Sequence, residues 1–485
     1  MKRPAVFLLI FLSFLAQYGA PAAQAVAEGL NGTWEGAILI MGQELRIIVH
    51  FSEAEGALKA TMDIPQQLAA GLPLSQVKRE GDKVHFELVA GPGIAVFDGA
   101  VTAGAIQGDF LQAGIKGSFK VERQTAKPDA EAREPEKSEP LPYMVEEVAL
   151  ANGAVKLAGT LTIPEGAGPF PALIMITGSG TQNRDEEIFG FKLFRVIADH
   201  LTRQGIAVLR CDDRGLSPQG GFGSDTSADF ASDVVAQGGF LRGRPRIDPK
   251  RVGLFGHSEG GIIAPIANQK SPFAFMVLMA GTAVKGEEVL LEQIALIARA
   301  NGASEAEIVE TLAQQKRVYK LMGTPEGEKQ IAALLADQSR KGLDKMPPEQ
   351  RQAITDPEAY VQNAAKAQML AFTSPWFRNF LAYDPGPALE QAKCPVLALF
   401  GEKDLQVSPR QNLAVMEQAF RKGGNADVTF KVFPEANHLF QKAKSGSPSE
   451  YAALEKAFVP GFLETISSWI LERTSREKPE SQRQK

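Results

Sequence analysis

The stretch from Arg251 to Pro265 constrains this chain more than any other. A strand-forming run, Val252-Gly253-Leu254-Phe255, enters Gly256-His257-Ser258-Glu259-Gly260, and a helix-forming segment leaves from about Gly261. G-x-S-x-G between a strand and a helix is the context of a nucleophile elbow, a sharp and strained turn that lifts a serine hydroxyl clear of a sheet. Strand and helix approach so closely there that side chains at positions 256 and 260 would clash, which is why glycine stands at both. A glycine-rich turn without chemistry is the competing reading of the pentapeptide alone. A reactive Ser258 therefore requires a base and an acid elsewhere in the chain.

The flanking sequence predicts the sheet such an elbow needs. A half-buried strand is expected at 155–164 and buried ones at 170–177, 205–211, 251–255, 275–279, 395–400 and 427–433, with an amphipathic helix over 194–203. Continuous Val/Ile/Leu runs separated by helices imply a mostly parallel α/β sheet covered on both faces. The alternation breaks over 283–391, which is helical by period and reads as a cap inserted at the carboxyl ends of the strands. The core is thus expected in two parts, 143–282 and 392–473, before a charged tail, 474–485, expected to be disordered. Late in the cap, Trp376, Phe377 and Phe380 cluster. They serve either to pack cap on core or to line an apolar substrate pocket.

The amino-terminal part has a different pattern. Lys2 and Arg3 precede an apolar run from Ala5 to Ala16, and Ala23-Gln24-Ala25 follows, so residues 1–25 read as a signal peptide cleaved after Ala25. Export to a periplasm or beyond is the expectation, an uncleaved anchor the alternative. The run is shorter than the roughly 20 residues a membrane span needs, and no stable span is expected. Residues 26–124 alternate with period two between glycine-rich turns and predict a small antiparallel β domain, barrel-like, whose Gly32-Thr33-Trp34-Glu35-Gly36 resembles the first strand of lipocalin-like barrels. Its role is open between structural support and help in positioning substrate. Residues 125–142 are charged and interrupted by proline, the composition of a linker.

Composition excludes several classes of function. A net charge of -5 without a basic block argues against nucleic acid. Two cysteines, Cys211 and Cys394, in apolar runs read as buried free thiols, and no Cys/His spacing predicts a metal site or other cofactor. The sequence is silent on oligomeric state.

The five histidines permit elimination. His50 and His85 lie in the β domain, where a satisfied strand histidine is the simpler reading; His200 falls inside a helix and His257 within the elbow. His438 remains, in a loop directly after the last expected strand. The acid that orients such a base should follow an earlier strand. Gly401-Glu402-Lys403-Asp404 follows 395–400 and makes Asp404 the best-placed carboxylate, with Glu402 in reserve. The order Ser258, Asp404, His438 is that of the α/β-hydrolase fold.

Residues from about Tyr143 to Leu471 resemble α/β-hydrolases of the dienelactone-hydrolase-like and acyl-thioesterase-like group, and within it exported bacterial esterases. The likeness rests on Gly256 to Gly261, Gly401 to Asp404, Asn437-His438, Asp212-Asp213-Arg214-Gly215 and Thr177 to Glu186. True dienelactone hydrolases use a cysteine nucleophile, and this chain has Ser258.

The resemblance implies a Ser258, His438, Asp404 triad hydrolysing carboxylic esters through an acyl-serine, without cofactor or metal. The oxyanion donors would be the backbone N–H groups of Glu259 and Ser179, with Gly180 the alternative to Ser179 and the neighbouring glycines, Gly178 among them, letting the backbone approach substrate. Arg184, Asp185, Glu186 and Arg214 are expected to brace that loop through ion pairs, with Glu259 a further member; surface pairs of little consequence are the alternative. His257 is placed near the pocket or just behind it. The partner is a small ester. Thioester, acyl-transfer or peptide substrates for the same triad stay open, as does a non-catalytic binding protein on a hydrolase fold.

Overall fold

The computed structural model describes residues 30–40, 43–54, 57–64, 69–89, 94–102, 104–112, 115–123, 141–180, 182–214, 225–344, 351, 354 and 356–475. The expected leader, all of the linker but 141–142, the tail from 476, and Thr181 and Gly215 of the resemblance lie outside them. The chain divides into two compact units, Met1–Ser138 with Arg317–Thr373, and Glu139–Lys316 with Ser374–Lys485.

In the first unit, β1 (Gly32–Ile40), β2 (Gln43–Ala54), β3 (Ala57–Ile64), β4 (Ala69–Glu80), β5 (Lys83–Val89), β6 (Ile94–Thr102), β7 (Ala105–Gln112) and β8 (Ile115–Arg123) form an antiparallel meander. Pairing of β1 with β8, from Trp34↔Arg123 to Ile40↔Gly117, closes it into a barrel. Period-two alternation sends Ile47, Val49 and Phe51 of β2 and Val84, Phe86 and Leu88 of β5 inward. Stacked Phe86 and Phe97, with centroids 4.7 Å apart, and Phe119 edge-on to both fill the interior. A Cβ on Gly36 would lie 1.9 Å from the Lys120 carbonyl oxygen, so the seam between β1 and β8 tolerates only glycine there.

The second unit holds an eight-stranded sheet. Its members are β9 (Tyr143–Asn152), β10 (Val155–Pro164), β11 (Phe170–Ile176), β14 (Ala207–Cys211), β15 (Ile247–His257), β16 (Met276–Met279), β17 (Val396–Gly401) and β18 (Val428–Phe433); β12 (Glu187–Ile188) and β13 (Phe191–Lys192) form a separate short hairpin. The order is β18-β17-β16-β15-β11-β14-β10-β9. Each strand expected from the apolar runs is present. The sheet is mostly parallel, as those runs imply; the exception is one edge, where β10 pairs antiparallel with β14 and β9. Edge strand β9 has alternating exposure along much of its length, so it carries no continuous apolar run to announce it.

Both faces of the sheet are covered. Ala172, Ile174 and Ile176 of β11 pack with Val252 and Leu254 of β15 in one apolar cluster, and Leu173 and Met175 pack with Phe255 in another. Helix α1 (Leu193–Arg203) contributes Phe194, Ile197 and Leu201 to the second; α2 (Ser227–Arg242) and α3 (Gly260–Lys270) serve the first. Burying each such side chain contributes about 1.5–3 kcal/mol. Thr226 and Asp229 form a capping box that starts α2.

The helical insertion comprises α4 (Gly286–Ala300), α5 (Glu305–Leu321), α6 (Pro325–Asp344), α7 (Pro357–Thr373) and α8 (Pro375–Ala382). Its pieces fall in both units. α6 and α7 share a small core around Ile331, Leu335, Tyr360 and Val361. α4 packs against α8, where Gly286 admits the Phe380 backbone: a Cβ there would lie 2.1 Å from the Phe380 carbonyl oxygen. Among the described residues no helix is long and apolar enough to cross a membrane.

Candidate active site

Strand β15 ends at His257, and Ser258 follows with φ +54°, a left-handed conformation that non-glycine residues rarely adopt. Its N–H donates to the Met279 carbonyl oxygen at 2.9 Å, and its own carbonyl accepts from Gly261 N–H at 2.9 Å as α3 begins. The glycines at 256 and 260 have the steric cause expected. A Cβ on Gly256 would lie 2.1 Å from the Gly260 carbonyl oxygen, and one on Gly260 2.3 Å from that of Ile176.

Loops after two neighbouring strands carry the acid and the base. Asp404, after β17, accepts backbone N–H bonds from Gln406 and Val407 on Oδ1, at 2.8 and 2.9 Å, while Oδ2 lies 2.8 Å from His438 Nδ1. Both residues are buried. An acceptor locked in this way holds the hydrogen on Nδ1 and leaves Nε2 as the basic nitrogen. Glu402 is exposed and accepts from Glu435 N–H instead. The base loop is itself rigid: Asn437 Oδ1 accepts from the N–H groups of Leu439 and Gln441, both at 2.9 Å.

The loop after β11 sits against the elbow. Gly178 N–H donates to Glu186 Oε1 at 2.7 Å, so it is already used, and the backbone N–H groups that follow it in the loop are those of Ser179 and Gly180. Asp213 holds the loop from behind, accepting from Thr177 Oγ1 at 2.8 Å and Gln182 N–H at 2.9 Å. Burial pushes its carboxyl up to about 8. Arg184 grips Asp212 through Nε and Nη2 and reaches Glu147 at 2.6 Å. Asp185 pairs with buried Arg210. Arg214 binds both oxygens of Asp233, at 2.6 and 2.7 Å, and Asp225 at 3.0 Å. Arg184 and Asp185 thus tie this loop to its neighbours, whereas the partners of Arg214 lie on and just before α2.

Three comparisons with known proteins bear on this site. Residues 191–442, just over half of the chain, match the family described as serine aminopeptidase, S33. The chain belongs to this family. It is also 27% identical over 319 residues to the esterase EstD of Thermotoga maritima, a match spanning 65% of this chain and 65% of that protein, less than two thirds of the relative's length. Similar solved structures include an esterase of Pyrococcus furiosus (14% identity, 70% of this chain and 93% of that one, TM-score 0.40) and a dienelactone hydrolase of Anabaena variabilis (18%, 68% and 96%, 0.36).

In this α/β-hydrolase the Glu259 side chain departs from expectation. It is buried and enters no ion pair with the arginines. It accepts hydrogen bonds from Ser227 Oγ at 2.7 Å and from Trp376 Nε1 at 3.0 and 3.1 Å. Burial raises its pKa while those donors oppose the rise. Trp376 stacks on buried Phe380, centroids 5.7 Å apart, and tilts against half-buried Phe377. α8 and α2 are thus both tied to the elbow through one carboxylate. A cavity of about 30 Å³, enough for a water molecule or two, lies beside the loop between Thr177, Gly178, Asp213, Gln237 and Glu259.

Sequence reading missed three features: the role of Asp213, the Ser227 contact, and the bond between Glu186 and His257. His257 Nδ1 lies 2.9 Å from Glu186 Oε1, and Nε2 lies 3.1 Å from the His438 carbonyl oxygen. The sequence signal was the cluster of charges in the loop around 184–186 and 212–214, which marks a network without naming its pairs. Among the described residues no group of three or more His, Cys, Asp or Glu is arranged to hold a metal. Cys211 is buried and Cys394 half-buried, both free.

Proposed function

We propose that this chain is an exported serine carboxylesterase, with Ser258 as nucleophile, His438 as base, Asp404 as orienting acid, and the backbone N–H groups of Glu259 and Ser179 as oxyanion donors. The observation that carries this reading is the 2.8 Å bond between Asp404 and His438 in loops at the carboxyl ends of the strands, with Ser258 held at positive φ at the end of β15. The similarity to an esterase agrees with it.

In this mechanism His438 Nε2 takes the Ser258 proton as Oγ attacks the ester carbonyl. The tetrahedral oxyanion rests on the two N–H groups, each worth about a hundredfold to a thousandfold in rate. His438 then protonates the departing alcohol, and water activated by the same base hydrolyses the acyl-serine. No step requires a metal or organic cofactor.

A chain-length series of p-nitrophenyl esters, acetate to palmitate, beside aminoacyl p-nitroanilides, tests the reading on the mature chain with Ser258→Ala as blank. Serine-dependent ester turnover supports it; turnover of anilides alone makes the enzyme a peptidase. Amino-terminal sequencing tests export: the mature chain should begin at Val26.

A further inference from the structure

The acyl-transfer steps use neither Glu186 nor His257, yet their side chains are sealed from solvent, at 1% and 2% exposure. Hydrogen-bond accounting shows what state they are in. The His438 carbonyl oxygen can only accept, so His257 Nε2 carries a hydrogen. Nδ1 faces Glu186 Oε1 at 2.9 Å, and that oxygen also accepts the Gly178 N–H at 2.7 Å. A neutral imidazole with its hydrogen on Nε2 would present a lone pair to the carboxylate, so a second proton lies between the two groups. With Glu186 ionised, Oε1 can accept both N–H bonds, the arrangement in which this proton sits on Nδ1. Glu186 Oε2 is buried without a partner and offers a proton no acceptor.

We infer that Glu186 and His257 form a carboxylate–imidazolium positioning pair that clamps the oxyanion-donor loop and the base loop to the nucleophile elbow. This rests on the proposed acyl-transfer function. One end of the pair fixes the Gly178 N–H, adjoining the donor Ser179; the other fixes the backbone carbonyl of His438 itself. The fit is close, since a Cβ on Gly178 would lie 3.2 Å from both Glu186 Oε1 and Ser258 Cβ. Glu186 adopts φ +45°, a conformation held against its own strain by these contacts.

The titratable groups facing His257 are Glu186, His438, whose ring centroid is 4.8 Å away, and Asp404. Burial lowers the His257 pKa, but the Glu186 charge and hydrogen bond, the His438 carbonyl and Asp404 outweigh it, and the net shift is upward. A histidine raised in this way keeps its bonds below the ordinary range and loses them as pH rises through the shifted value. The clamp therefore fails on the alkaline side.

Imidazole ¹⁵N NMR of the intact chain, assigned with His257→Gln, reads the protonation state without any substrate. Two N–H signals from His257 near about pH 7 are expected, and a single one overturns the charged pair. Fluorophosphonate labelling of Ser258 and ester turnover read the positioning. Glu186→Gln and His257→Gln should each lower the labelling rate and kcat by about 10–100-fold with KM nearly unchanged, and Glu186→Gln should move the alkaline limb of kcat to lower pH. Wild-type rates and limb in both folded variants overturn the positioning role. If the wild type labels at Ser258 but hydrolyses no ester, the esterase reading fails and the labelling rates still decide the pair.

Discussion

In the barrel, His50 Nε2 lies 2.9 Å from Asp63 and His85 Nδ1 2.6 Å from Asp98; in the α/β unit, His438 lies 2.8 Å from Asp404 and His257 2.9 Å from Glu186. The distances match, and the surroundings do not. The barrel pairs stand on the outward face of strands whose other face fills a core of phenylalanines, with His50 41% and His85 32% exposed at the side chain. Water screens such pairs and leaves them about 0–1 kcal/mol each. The other two pairs are enclosed by loops at strand ends, where backbone N–H groups and a carbonyl fix the bonds around them. Burial turns the same contact into a device that sets a tautomer or a charge.

The sharpest way to break this comparison is at the buried pair. Ser258→Ala should abolish ester turnover, and Asp404→Asn, which leaves the shape but reverses the tautomer, should lower kcat up to about ten-thousandfold; an active Ser258→Ala enzyme would falsify the nucleophile assignment. Next in size, Phe97→Ala empties the barrel's stacked core and should destabilise it by about 3–5 kcal/mol, seen as an earlier urea transition for the barrel. Smaller is the effect of Asp213. A carboxyl raised to about 8 is protonated in the folded chain over a range in which the unfolded one is ionised, so its contribution weakens as pH climbs from about 4 towards 8. Asp213→Asn should flatten the dependence of melting temperature on pH across that window, and an unchanged slope would count against a neutral Asp213. Least of all, His50→Asn and His85→Asn should shift stability by no more than about 1 kcal/mol and leave turnover alone; a large loss at either would show that exposure does not separate the two kinds of pair.

Much of this was legible in advance. The interior strands β11, β14, β16 and β17 announced themselves as continuous apolar runs because both of their faces are covered, and the barrel strands as alternation because one face meets water. Gly256 and Gly260 were readable because their cause is local, a backbone within about 2 Å of the missing Cβ. Asp404 and His438 were found because each follows a recognisable strand. β9 was not, since its mixed exposure resembles that of a loop. Glu259, expected in an ion-pair network, instead binds a hydroxyl and an indole, a choice that depends on where α2 and α8 come to lie.

The sequence by itself determined the backbone scheme and the chain order of the reactive groups, because periodicity and steric demand act between near neighbours. Tertiary structure alone decided which carboxylate meets which donor. Glu186 and His257 are 71 residues apart, Thr177 and Asp213 36, Ser227 and Glu259 32. A polar pair leaves no period in the chain, and its partner is chosen only when folding closes the distance and removes the water.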